Sequence, residues 1–198
     1  IRIHQLPCFN QQVLLRTTLH SVYRFMGSRR FALFPLAADQ PGAGVFNEKP
    51  IIEADTIWLF VDTRARRPIR VSHDMKQAYG HLDAEEQRPE LPLVPRPENP
   101  EKLARFEVRR SDIDVNQHVN HIRYVNWALE TLPAEIIAAY RLVQISGLFL
   151  KETLFGDTVQ LTSQFQDPDE PGIRQCLHLI QDSSGEEKSR LMTRWAPL

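Results

Sequence analysis

Five prolines fall between residues 89 and 100, at Pro89, Pro92, Pro95, Pro97 and Pro100. Each removes a backbone N–H and fixes φ, so neither a helix nor a sheet interior can run through this stretch. The chain must therefore fold on either side of it. The sequence places a linker over 73–103, opening with a short helix in "HDMKQAYGHL", between an N-terminal unit over 1–72 and a C-terminal unit over 104–198. With 198 residues, 42% of them hydrophobic, the chain has material for a core on each side.

Strand signals dominate both halves. Before the prolines, Gln12 to Phe25 and Arg29 to Leu36 read as two strands joined by a turn at "MGS", and "PIIEADTIWLFVD" adds a third. After them, "ARFEVRRSDID" reads as a strand and "NHIRYVNWALETL" as an amphipathic helix with Ile122, Val125, Ala128, Leu129 and Leu132 on its apolar stripe. Pro133 marks that helix's end or a break. Four further strand-like runs, separated by "GD", "PDEPG" and "SSGE", complete the half. Each half also closes with a threonine two residues before a tryptophan, Thr56 and Trp58 in one and Thr193 and Trp195 in the other. The shared element order reads as a tandem repeat, and the first copy lacks a long helix ahead of its strands.

Ahead of the helix stands "SDIDVNQHVNHIRYVN", in which polar residues recur at every second position. In an extended backbone Asp114, Asn116 and His118 would share one face. A carboxylate, an amide and an imidazole are the groups that ester or thioester hydrolysis needs, and the N–H groups opening the helix could polarise a carbonyl. The plainer reading is a capped helix beside a core histidine. Glu152 alternates with Leu148, Leu150 and Leu154, which predicts a carboxylate in an apolar strand row, with a pKa raised by burial. Asp112 is expected to support the loop rather than to act in chemistry. Tyr124 and Trp127 fall off the apolar stripe and are expected to pack between the repeats, and His121 is expected to be an exposed helix residue.

Lys plus Arg (24) nearly balances Asp plus Glu (25), so overall charge points to neither nucleic acid nor a membrane surface. Basic residues gather locally at Arg64, Arg66, Arg67 and Arg70, and at Arg105, Arg109 and Arg110. Such patches suit an acidic partner, or are solvated faces. No histidine or cysteine spacing predicts a metal site, and Cys8 and Cys176 are too few for a disulfide framework, which suits a reducing compartment. No run is apolar and long enough to span a bilayer, and the start at Ile1 lacks the layout of a signal peptide.

The segment "SDIDVNQHVNHIRYVNWALE" followed by "FLKETLFGD" resembles the acyl-acyl-carrier-protein (acyl-ACP) thioesterases. The similarity covers the second half, and more loosely the first, where "ADTIWLFVDTRARRPIRV" looks like the end of that family's N-terminal domain. The resemblance implies an α+β tandem hotdog, in which a long helix is wrapped by an antiparallel sheet, with the first hotdog lacking its opening strand and helix. It implies hydrolysis of fatty acyl-ACP in fatty acid biosynthesis, without a cofactor. Asp114, Asn116, His118 and Glu152 would then be catalytic, with Asn120, Tyr124 and Trp127 binding substrate. Arg64, Arg66 and Arg67 would dock the carrier protein and its acyl-phosphopantetheine arm. Thr153 stands where plant members carry cysteine, which excludes a cysteine nucleophile there. A homodimer, and a bacterial cytoplasm or plant plastid stroma, fit the same picture. The alternatives are an acyl-CoA thioesterase of the wider hotdog group and a noncatalytic acyl-binding or assembly module.

Overall fold

The computed structural model describes residues 1–36, 49–65, 67–80, 89–166, 168 and 170–198. The chain forms two compact units, Ile1–Leu91 and Pro92–Leu198.

In the first unit, β1 (Arg2–Ile3), β2 (Val13–Tyr23), β3 (Met26–Pro35) and β4 (Ile52–Leu59) pair antiparallel in the order β2-β3-β4-β1. A two-strand ribbon of β5 (Val61–Asp62) and β6 (Arg67–Pro68) and the short helix α1 (His73–Ala78) follow. The turn between β2 and β3 lies at Arg24 and Phe25 rather than at "MGS", and Arg24 supplies the positive φ of 52°. Gly27 sits inside β3 because a Cβ there would come within 3.2 Å of the Phe60 ring. The glycine thus marks a close approach and not a turn.

The second unit opens with β7 (Lys102–Glu107) and a single 3-10 turn (Arg110–Asp112). Then come α2 (His121–Glu130), α3 (Ala134–Ala139), β8 (Tyr140–Phe149), β9 (Thr158–Gln166), β10 (Arg174–Asp182) and β11 (Glu187–Pro197). The strands pair antiparallel in the order β8-β11-β10-β9-β7. Alternation drives the sheet: Val159, Leu161 and Ser163 on β9 and Ser189, Leu191, Thr193 and Trp195 on β11 are buried on one face. Pro133 separates the two helices and caps α3. One helix lying on an antiparallel sheet is the hotdog arrangement, and the chain covers one hotdog and part of another.

The buried face of α2 is Tyr124, Trp127, Ala128 and, just past its end, Thr131. Their i, i+3, i+4, i+7 spacing fits a helix as well as the stripe read from sequence, which put Ile122 inside; Ile122 is 54% exposed. The two aromatic rings bury more area than an isoleucine, and each such side chain contributes about 1.5–3 kcal/mol on burial, so they decide which face turns inward. They pack with Val108, Val119, Val159, Leu161, Ile180 and Leu191.

The proline-rich stretch is divided between the units. From Pro92 onward it lies along the second one, where Val94 is buried and its carbonyl accepts from Arg190 at 2.9 Å. Glu98 and Asn99 donate their backbone N–H to Gln164 Oε1 at 2.7 and 3.0 Å, and Arg96 pairs with Glu187. Prolines leave the carbonyls and the intervening N–H groups available, and those make the attachment.

Candidate active site

The segment carrying Asp114, Asn116 and His118 is a tight turn, which corrects the extended reading. Ile113 and Val119 form an antiparallel bridge, Asp114 N–H donates to the His118 carbonyl at 3.0 Å, and Gln117 N–H donates to the Asp114 carbonyl at 3.0 Å. Asp114 Oδ1 accepts from the Asn116 N–H at 2.8 Å, an Asx turn, and Gln117 takes φ of 66° to complete it. Polar residues at alternate positions serve such a turn as readily as a strand face.

The turn brings Asp114 and His118 together by a different route. His118 Nδ1 lies 3.9 Å from Asp114 Oδ1, with both side chains mostly buried at 22% exposure. The same imidazole nitrogen is 3.4 Å from the Val119 carbonyl. Asn116 sits exposed at the tip, and its amide reaches Asp114 Oδ2 only at 3.5 Å. Asn120 caps α2, its Oδ1 accepting from the Ile122 N–H at 3.0 Å. Asp112 is buried and holds the start of the turn: its carboxylate accepts from the Arg109 N–H at 2.8 Å and faces Arg123 Nε at 3.4 Å.

Glu152 does not sit in a strand. The last ladder pair of β8 is Phe149 with Ser189, after which Leu150 and Lys151 both donate to the Lys188 carbonyl and the chain leaves the sheet. Glu152 is exposed on the loop that follows, as are Leu150 and Leu154, so the burial expected to act on its carboxyl is absent. The loop nonetheless returns to the turn, because Val119 donates to the Thr153 carbonyl at 2.9 Å. His118 and Glu152 each stand one residue from that bond.

Two features lay beyond the sequence reading. His121 is exposed as a residue, yet its ring lies tilted against Phe149 at 4.3 Å between centroids. Partial burial, and then the nearby His118, lower its pKa, with Asp114 opposing. Tyr124 donates its hydroxyl to Thr153 Oγ1 at 2.8 Å, both residues being buried. The two are 29 positions apart, so no local pattern could have joined them. Tyr124 and Trp127 lie in the core of this unit. Arg64 and Arg67 are exposed, and Arg66 falls outside the described residues.

Among the described residues no group of histidine, cysteine or acidic side chains could hold a metal ion, and no helix is long and apolar enough to cross a membrane. A depression of about 280 Å³ lies against Tyr140, Pro168 and residues 170–174. It sits at the opposite end of β8 from Phe149, roughly 30 Å away at the usual strand rise, and does not serve this site.

Residues 96–197 match the family described as acyl-ACP thioesterase C-terminal domain. The chain is 28% identical over 162 residues to the chloroplastic acyl-[acyl-carrier-protein] hydrolase FATB1 of Cuphea viscosissima, covering 74% of this chain and 36% of that protein. It is 28% identical over 180 residues to the chloroplastic oleoyl-acyl carrier protein thioesterase of Coriandrum sativum, covering 85% and 46%. The chain thus spans less than half the length of these relatives. In fold it is similar to the solved structure of a candidate oleoyl thioesterase from Lactobacillus plantarum, with a TM-score of 0.86 and 21% identity over all of this chain and 73% of that one.

Proposed function

The chain belongs to the acyl-ACP thioesterase family, and from that membership we propose that its protein hydrolyses the thioester of fatty acyl-ACP to free fatty acid and carrier protein. The observation that carries the reading is the Asp114 and His118 pair at the mouth of α2, with the Glu152 loop bonded to the same turn.

Asp114 already accepts the Asn116 N–H on one carboxylate oxygen and faces its amide with the other, which favours water over the carboxylate as nucleophile. His118 takes the proton of that water, and Asp114 stabilises the imidazolium that forms. The proton then passes to the departing thiolate of the phosphopantetheine arm. The positive end of α2 begins at His121, three residues after His118, and favours the negative charge developing on the thioester oxygen. The exposed Asn116 amide is held weakly enough to turn onto that oxygen, and Glu152 supplies a second carboxylate beside the turn.

The exposed Arg64 and Arg67 remain candidates for steering an acidic carrier, and Asn120, Tyr124 and Trp127 for the substrate's surroundings. We place the reaction in fatty acid biosynthesis, in a bacterial cytoplasm or a plastid stroma. Turnover of a long-chain acyl-ACP and of the matching acyl-CoA by the whole protein tests the reading. Faster kcat/KM on the carrier-bound substrate supports it, and preference for the CoA ester moves the protein to the wider hotdog group. Hydrolysis of neither leaves an acyl-binding module.

A further inference from the structure

We propose that the buried hydroxyl pair of Tyr124 and Thr153 is a positioning device, locking the Glu152 loop to the helix and turn that carry His118. The inference rests on the hydrolase reading above for its kinetic consequences, but not for its geometry.

Thr153 is held twice by one continuous segment. Its carbonyl accepts from the Val119 N–H at 2.9 Å, and its hydroxyl accepts at 2.8 Å from Tyr124 in the first turn of α2. Both Thr153 and Val119 are almost fully buried, at 0% and 1% exposure. In such surroundings a hydrogen bond is not exchanged for one to water, and its loss leaves a polar group without that partner. The Tyr124 ring is fixed independently by edge contacts with Phe149 at 5.7 Å and Trp127 at 5.4 Å, so its hydroxyl is aimed before the bond forms. Burial raises the pKa of Tyr124, which keeps the phenol a donor.

The rest of the loop is tied at either side of Glu152. Leu150 and Lys151 donate to the Lys188 carbonyl at 2.9 and 3.2 Å, Lys151 Nζ pairs with Glu186 at 3.1 Å, and Gly156 donates to the Val108 carbonyl at 3.2 Å. Those anchors join the loop to the sheet and its approaches. The Thr153 bonds join it to the His118 segment, and so bear on the distance between that imidazole and the Glu152 carboxylate. Glu152 is exposed, and its buried neighbour Thr153 holds the backbone that carries it.

The test compares Tyr124→Phe, Thr153→Val, Thr153→Ser and the Phe/Val double variant in the whole protein. It reads kcat and KM on a long-chain acyl-ACP and the hydrogen exchange of the Val119 amide. Misplacing a reacting group by about 1 Å costs on the order of 10- to 100-fold in rate, so kcat should fall in that range in the Phe and Val variants, with KM little moved. Thr153→Ser keeps the acceptor and should restore kcat. The double variant should be no worse than the poorer single, because both remove one bond. Val119 exchange should quicken in the Phe and Val variants while amides of β9 and β10 hold their rates. Wild-type kcat with unchanged Val119 exchange, a loss confined to KM, or additive single effects would overturn the proposal. Should the wild type hydrolyse no acyl-ACP, the hydrolase reading fails, and the exchange data alone decide the positioning claim.

Discussion

Asp112 and Asp114 are two residues apart and differ in what holds them. Asp112 is buried, bonded to the Arg109 N–H and facing Arg123, so Asp112→Ala removes a buried carboxylate from both partners. It should lower stability by about 1–3 kcal/mol, read as a shifted urea midpoint. Asp114 is bonded mainly within its own turn, and Asp114→Ala should instead lower kcat on acyl-ACP with a smaller change in midpoint. The polar pattern in the sequence drew attention to these residues but misjudged their geometry. Alternate positions face the same way in a strand, and the same residues close an Asx turn in which positions four apart meet. Composition cannot choose between those backbones. The Leu148, Leu150, Glu152, Leu154 alternation was misleading for a related reason: apolar residues continue past the end of β8, where the Lys188 carbonyl takes two donors and the ladder stops.

Among the elements, α2 depends on the residue that caps it and β10 on its middle. Asn120→Ala should cost about 1 kcal/mol through loss of the cap bond to Ile122, measurable as a fall in Tm. On β10, His178 is fully buried with its ring nitrogens 2.9 Å from Ser163 Oγ and 3.1 Å from Thr193 Oγ1, and burial lowers its pKa from 6.5 to about 4. Below pH 6.5 the unfolded chain binds a proton that the folded state refuses. The stability is therefore complete above that value and drains away as pH falls toward 4, by about 1.4 kcal/mol per unit and about 3 kcal/mol in all. Urea midpoints between pH 7 and 4 should follow that slope in the wild type and flatten in His178→Gln. Strand and helix order in the second unit were legible because periodicities of two and 3.6 are local. The chain of bonds from Thr131 through Ser163 and His178 to Thr193 was not, since it joins four elements through side chains that look unremarkable in sequence.

For the whole molecule, one repeated detail supports a shared plan for the two units. In the first, Trp58 Nε1 donates to Thr56 Oγ1 at 2.7 Å, and in the second, Trp195 Nε1 donates to Thr193 Oγ1 at 3.0 Å. Alternation puts each pair on one face of its strand, so a spacing seen in sequence becomes the same bond twice. The surroundings differ, Trp58 being 56% exposed and Trp195 5%. The prolines pointed to two units because their constraint is absolute, whereas the attachment of 92–101 to the second unit depends on partners as distant as Glu187 and Arg190. His118→Ala in the whole protein, assayed on a long-chain acyl-ACP, tests most directly whether the turn before α2 carries out the proposed hydrolysis. A lost general acid and base should cut kcat by about 100-fold or more, with KM and the urea midpoint close to the wild type. A kcat close to that of the wild type in the folded variant would contradict it.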